Sequence, residues 1–414
     1  MKKKKIIVPF ILLLLTAAAL YLVFFHKDKT LKYIPENADV VILLDVKKLT
    51  GQYIYSMLTH PSNWSGDSTQ NKKSMSLQDS GIRIPDFLQV FHLKSSGYSE
   101  WYSVMELKDP LEFLIFLKSQ KFVNKGNNHF RKDQLFIVVE GDRCIIGTSD
   151  KAFATIKKQL LDSSDNKTWD AEYFIKGSVG SISFISGQRF QNFSIDLKDD
   201  EIEIKNDSDS QILNGTNFPI QHRNHFLEME LDAESVKKCA HFFNKSISDS
   251  AQINHIVGMV DLEHVNDTII SYSYDDNFNE VEKKTIQKLI QPSYVIGIES
   301  KDPERVWEYF QNRKWINAQN QFTLIPFQPN MINRIGKGVV IRSATNLIPL
   351  SPRLNENYIL IRNSALLLAS RKNLDEKEKR VISDIEYILY RNKGMEYSVK
   401  VKAKKGEFPL ILRW

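Results

Sequence analysis

Five of the nine histidines, His222, His225, His241, His255 and His264, fall within 43 residues, with Asp261 and Glu263 close by. Imidazole and carboxylate together suit zinc, so this stretch is where a metal centre, and with it an envelope enzyme, would be sought. The elements expected to carry these residues separate them. His222 and His225 lie in a polar run before a strand, His241 sits in a helix, and His255 and His264 flank another strand. We therefore expect no metal site and no cofactor. Other chemistry is equally absent from the spacing. The "GKG" at 336–338 lacks the upstream glycine and the Lys-Ser/Thr ending of a phosphate loop. There is no Gly-x-Ser-x-Gly elbow and no His-Glu-x-x-His. Residues 206–211 and 275–280 have the composition of calcium loops but place Ile212 and Glu280 where such a loop needs glycine for its turn. No residue is expected to be catalytic.

A lysine beside an aspartate occurs twice in the same context, in "MELKDPLEFLIFL" (105–117) and "IESKDPERVWEYF" (298–310). The elements again decide its meaning. A strand runs into Asp109 at a helix N-cap, with Pro110 at the first helical position; Asp302 and Pro303 repeat the arrangement. A carboxylate there accepts from a free backbone N–H, and proline has no N–H to strand. Asp109, Pro110, Asp302 and Pro303 are thus expected to be structural caps. Residues 111–117 are apolar almost all round, which predicts a helix covered on both sides, whereas Val306, Trp307 and Phe310 form one stripe.

The motif belongs to a longer repeat. "VVILLDVKKL" (40–49) aligns with "LEMELDAESV" (227–236), setting Asp45 over Asp232, and "LFIVVEGDRCIIGTSDK" (135–151) aligns with "NYILIRNSALLLASRKN" (357–373). On that alignment the second copy carries an insertion of about 29 residues within 317–355, whose prolines predict loops with short strands. Ser149 and Asp150 are placed to cap "KAFATIKKQLL", "DEKEKRVISDIEYILYR" reads as its counterpart helix, and Phe408, Leu410, Leu412 and Trp414 read as a closing strand. The fold class is α+β, with two related modules of mainly antiparallel sheet and helices packed on one face. The domains expected are 1–29, 30–206, a linker at 207–221 and 222–414. Residues 60–80 read as an exposed polar excursion.

The start of the chain points to a location. Lys2–Lys5 precede an unbroken apolar run from Ile6 to Phe25, followed by His26, Lys27, Asp28 and Lys29. Twenty helical residues span roughly 30 Å, the hydrocarbon thickness of a bilayer. Ala17-Ala18-Ala19 could serve as a cleavage site, but the run continues past it, so an uncleaved signal-anchor is expected over a removed signal peptide. Lysine bias puts the N-terminus inside and the C-terminal part in the periplasm, single-pass in the inner membrane. These flanks account for five of the formal net charge of +6. The remaining 385 residues carry about +1 with charges interspersed, which argues against nucleic acid. With 42% hydrophobic against 26% charged residues, the outer part has ordinary globular composition. Only Cys144 and Cys239 occur, so no disulfide framework holds it; they could pair or remain buried thiols.

At "YIPENADVVILLDVKKL" the chain resembles uncharacterised families of membrane-anchored bacterial cell-envelope proteins, through Ile34, Pro35, Ala38, Asp39, Val41 and Asp45. "GIRIPDFLQVF" (81–91) is similar to a second shared element, although Arg83 stands where an acidic residue is expected. The resemblance implies a duplicated extracytoplasmic α+β architecture and no known activity. The function expected is that of a membrane-anchored binding or scaffolding protein of the envelope, partnered by the membrane and an envelope protein. The alternative is an envelope enzyme or metal module using His222–His264.

Overall fold

The computed structural model describes residues 27–59, 80–161, 168–187, 189–206, 218–243, 252–326, 329–343, 347–370, 374–406 and 410–413. The expected anchor, ending at Ile6 and Phe25, lies outside them, as do residues 60–79, 207–217 of the linker, and the side chains of Cys239 and His241. Among the described residues no helix is long and apolar enough to cross a membrane. The fold is α+β and mostly antiparallel sheet, with 49% of residues in strands and 21% in helices, so the sheet carries the architecture. Two compact units divide at Asp207/Ser208, and Gly406–Leu412 belong to the first.

The first unit runs β1 (Thr30–Leu31), β2 (Ala38–Asp45), α1 (Val46–Thr59), β3 (Phe87–Leu93), β4 (Trp101–Glu106), α2 (Pro110–Ser119), β5 (Val123–Gly126), β6 (His129–Lys132), β7 (Leu135–Glu140), β8 (Arg143–Gly147), α3 (Phe153–Leu160), β9 (Trp169–Asp170), β10 (Gly180–Ser186), β11 (Arg189–Lys198) and β12 (Glu201–Asn206). Its main sheet has the order β12-β11-β10-β2-β3-β4-β8-β7-β6-β5, antiparallel throughout. The alternation of β2 buries Val41 and Leu43 completely, beside Phe91 and Tyr102. A second cluster forms under α2 from Phe113, Leu117, Ile137 and Cys144.

The second unit runs β13 (Leu227–Asp232), α4 (Ala233–Phe243), β14 (Ile253–Tyr274), β15 (Glu280–Ser300), α5 (Pro303–Asn312), β16 (Asn330–Ile335), β17 (Gly338–Ser343), β18 (Asn357–Arg362), α6 (Ala365–Ser370), α7 (Glu376–Asp384), β19 (Ile385–Lys393) and β20 (Glu396–Ala403). Its order is β20-β19-β18-β13-β14-β15-β17-β16, again antiparallel. Val306, Trp307 and Phe310 of α5 are buried against Ile332 and Ile341.

Strand for strand, this order repeats eight strands of the first unit, from β12 through β7, and that corrects the sequence alignment. The counterpart of the β7–β8 hairpin is β16–β17, which turns at Gly336 as the first turns at Gly141. The counterpart of β18 is β10, since each pairs with the opening strand of its unit. Residues 317–355 therefore contain an equivalent hairpin and are not an insertion. Short alternating apolar runs look alike, so sequence pattern alone sets the two apolar hairpins out of step. The real additions are the β5–β6 hairpin, the α3 and β9 segment, the α6–α7 pair and the extension of β14–β15.

Other local readings change as well. "IEYILYR" forms β19 because α7 ends at Asp384, and "SALLLAS" forms α6 instead of a strand. A reciprocal capping box between Asp375 and Glu378 starts α7. Ala152, not Ser149 or Asp150, is the N-cap of α3, and no side chain caps it. Leu410–Arg413 forms a short helix, α8, where a strand was expected: Leu410 is buried and its N–H donates to the Asp199 carbonyl at 2.9 Å. Residues 218–221 of the expected linker are built into the second unit, where Phe218 meets Tyr358 edge-on at 4.8 Å.

Candidate functional site: an exposed hairpin arm and a buried acidic pair

The repeated Asp-Pro corners differ in detail. The Asp109 carboxylate accepts from the N–H groups of Leu111 at 2.8 Å and Glu112 at 3.1 Å, with Pro110 opening α2. Gly81, at φ +71, accepts from the N–H groups of Lys108 and Asp109, and a Cβ there would run into the Asp109 carbonyl oxygen. Asp302 occupies the N-cap of α5 before Pro303, but its carboxylate accepts no capping bond and instead faces Arg305 at 3.4 Å. Helix α2 is not covered on both sides: Phe113 and Leu117 are buried while Leu111 and Ile115 are exposed. Arg83 pairs with Glu106 at 3.2 Å.

Among the described residues, the four histidines His222, His225, His255 and His264 do not converge. His225 Nδ1 meets Asp261 at 2.7 Å, His255 Nε2 meets Glu230 at 3.3 Å, and His222 and His264 are exposed. Among the described residues no three His, Cys, Asp or Glu side chains are grouped to hold a metal ion.

What the sequence reading missed is the environment of β13. Glu228 and Glu230 sit at the positions of Val41 and Leu43 and are as deeply buried. Arg223, also buried, donates to Glu228 at 3.1 Å and to the Pro352 carbonyl at 3.1 Å. Glu230 accepts from the N–H groups of Leu354 at 2.9 Å and Asn355 at 3.1 Å as well as facing His255. Arg362 donates to the Arg223 and Ile220 carbonyls. The two carboxylates thus fasten residues 352–355 and 220–223 onto the sheet. The signal was present as "LEMELD", acidic residues alternating into a strand face that its repeat partner fills with apolar ones.

The largest departure from the repeat is the β14–β15 hairpin. Its strands have 22 and 21 residues where β3 and β4 have 7 and 6. Its inner half is held by β13 and β17, whose pairings end at Val260 and Val295. Beyond, the two strands pair in unbroken register from His264↔Ile290 to Tyr274↔Glu280. Eleven residues at about 3.4 Å each make an arm roughly 35 Å long. Residues opposite one another share a face, so one face carries Ile270, Tyr272, Tyr274 and Ile286 with Lys284, Lys288, Glu280 and Glu282. Ile286 is 71% and Tyr272 62% exposed, so this face is displayed, not buried. At the tip Asp275 accepts from the N–H groups of Asn279 at 2.8 Å and Asn277 at 2.9 Å, bonds that hold its carboxyl below its ordinary range. That turn sets Phe278 at φ +61, an unusual backbone for a bulky aromatic, with its ring 87% exposed.

Comparison with protein-family models, with curated proteins and with solved structures gives no match. The arm and the buried pair therefore have to be interpreted from their own chemistry.

Proposed function

We propose that this chain is a membrane-anchored extracytoplasmic binding or scaffolding protein of the bacterial cell envelope. Residues 6–25 anchor it in the inner membrane, and two related α+β modules, each with its helices on one face of the sheet, stand in the periplasm. The observation that carries the binding role is the β14–β15 arm. A two-stranded hairpin alone in water is marginally stable, and exposed apolar surface of this kind marks interaction sites. Tyrosine and phenylalanine beside interspersed charges suit the contact surface of a folded protein partner. The buried acidic pair suits a supporting role, since each carboxylate is occupied by hydrogen bonds within the unit.

The test is photo-crosslinking in native membranes from Tyr272 and Phe278, each replaced by a photoreactive residue. One envelope protein captured at both positions, and lost when residues 265–289 are replaced by an Asn-Gly turn, is the expected result. Absence of any arm-dependent adduct would overturn the reading. Stoichiometric zinc in the purified full chain would favour a metal-dependent module instead.

A further inference from the structure

Beside α1 the first unit opens a cavity of about 1060 Å³, lined chiefly by apolar surface. Gly51, Tyr53, Ile54, Tyr55 and Leu58 of α1 form one wall and Leu197 of β11 another. The helix is unusual in what it hides: only Ser56 is buried, while Tyr55 and Leu58 are 69% and 71% exposed. A soluble amphipathic helix turns its apolar residues inward, and one that leaves them out lies at an apolar boundary.

Lys27 lines the same cavity, and its ammonium pairs with Asp45 at the start of α1. Phe25, the last residue of the apolar run, is two residues upstream. Two residues of extended chain reach about 7 Å. That is comparable with the roughly 5–8 Å of headgroup region on each side of a bilayer. If residues 6–25 cross the membrane, the cavity mouth lies at its surface, with Tyr53 and Tyr55 at headgroup depth, where tyrosine is favoured.

We infer that this groove takes an acyl chain of a membrane phospholipid; the inference rests on the anchor reading. Tail recognition is favoured over headgroup recognition because three of the four lysines of the lining have carboxylate partners and the fourth, Lys48, donates to the Gly177 carbonyl. Lys47 pairs with Asp86 at 2.9 Å and Lys198 with Glu201 at 3.1 Å, alongside Lys27 with Asp45.

The experiment places the full-length chain in nanodiscs of phosphatidylethanolamine and phosphatidylglycerol containing a phospholipid with a diazirine near the acyl terminus. After irradiation, adducts are mapped by peptide mass spectrometry. Adducts on residues 51–58 as well as 6–25 are expected, with those on Tyr53 and Tyr55 falling at least fivefold in Ile54→Glu/Leu58→Glu. Adducts confined to 6–25 would overturn the groove while leaving the anchor reading intact. Adducts on neither segment would overturn both. Groove adducts unchanged by the double substitution would also overturn it.

Discussion

Arg223 and Glu228 show how much one buried pair governs. Both are almost fully buried and 3.1 Å apart, in a position that the first unit fills with valine. Removing one member strands a charge, whereas removing both restores an apolar site. Arg223→Met should therefore lower stability by about 3–5 kcal/mol, and adding Glu228→Leu should return most of it, measured as denaturation midpoints of the full chain. Cys144 makes a second case. Burial pushes its thiol up from 9.0 to about 12, and burial likewise raises Tyr33 and Tyr358 to about 12. Above pH 9 the unfolded chain releases these protons while the folded one keeps them. The unfolded state then binds fewer protons, so stability should fall as pH rises from 9 towards 12. Thiol titration should find Cys144 unreactive at pH 8 until denaturant is added. The burial of Cys144 inside the first unit's core was not visible in its spacing from Cys239, because burial depends on which strands close over it.

At the scale of the element, the two Asp-Pro corners illustrate what local sequence can and cannot specify. The position of each corner follows from strand, aspartate and proline in series, since proline's missing N–H and fixed φ suit only the first helical turn. Whether the carboxylate turns inward to cap depends on competitors. Asp302 has Arg305 one turn on, and Asp109 has none. Asp109→Ala should cost about 1 kcal/mol, and Asp302→Ala only a few tenths because an exposed ion pair contributes little. The arm offers a larger contrast. Its strands read as ordinary alternation, yet nothing local says that the outer half lacks covering neighbours. Replacing residues 265–289 by a tight turn should leave the unfolding midpoint of the remainder unchanged, and limited proteolysis should cut first at 275–279.

For the whole molecule, the two units share one strand order and differ in the surfaces they display. The first unit carries the groove, close in sequence to the apolar run, and the second carries the arm. Deleting residues 1–29 should move the chain from the membrane fraction to the soluble fraction. In right-side-out spheroplasts external protease should reach the full-length chain, and protection of residues 30–414 would contradict the proposed topology.

The sequence by itself determined the α+β class and the positions of the two Asp-Pro corners. These follow from hydrophobic period and from the stereochemistry of aspartate and proline, which act over a few residues. Only the tertiary structure decided which strands of the two units correspond, the burial of Glu228 and Glu230, the separation of His225 from His255 and the exposure of the arm and of α1. Each depends on which distant strand lies alongside, and pairing between strands is set by packing across the sheet, beyond the reach of local pattern.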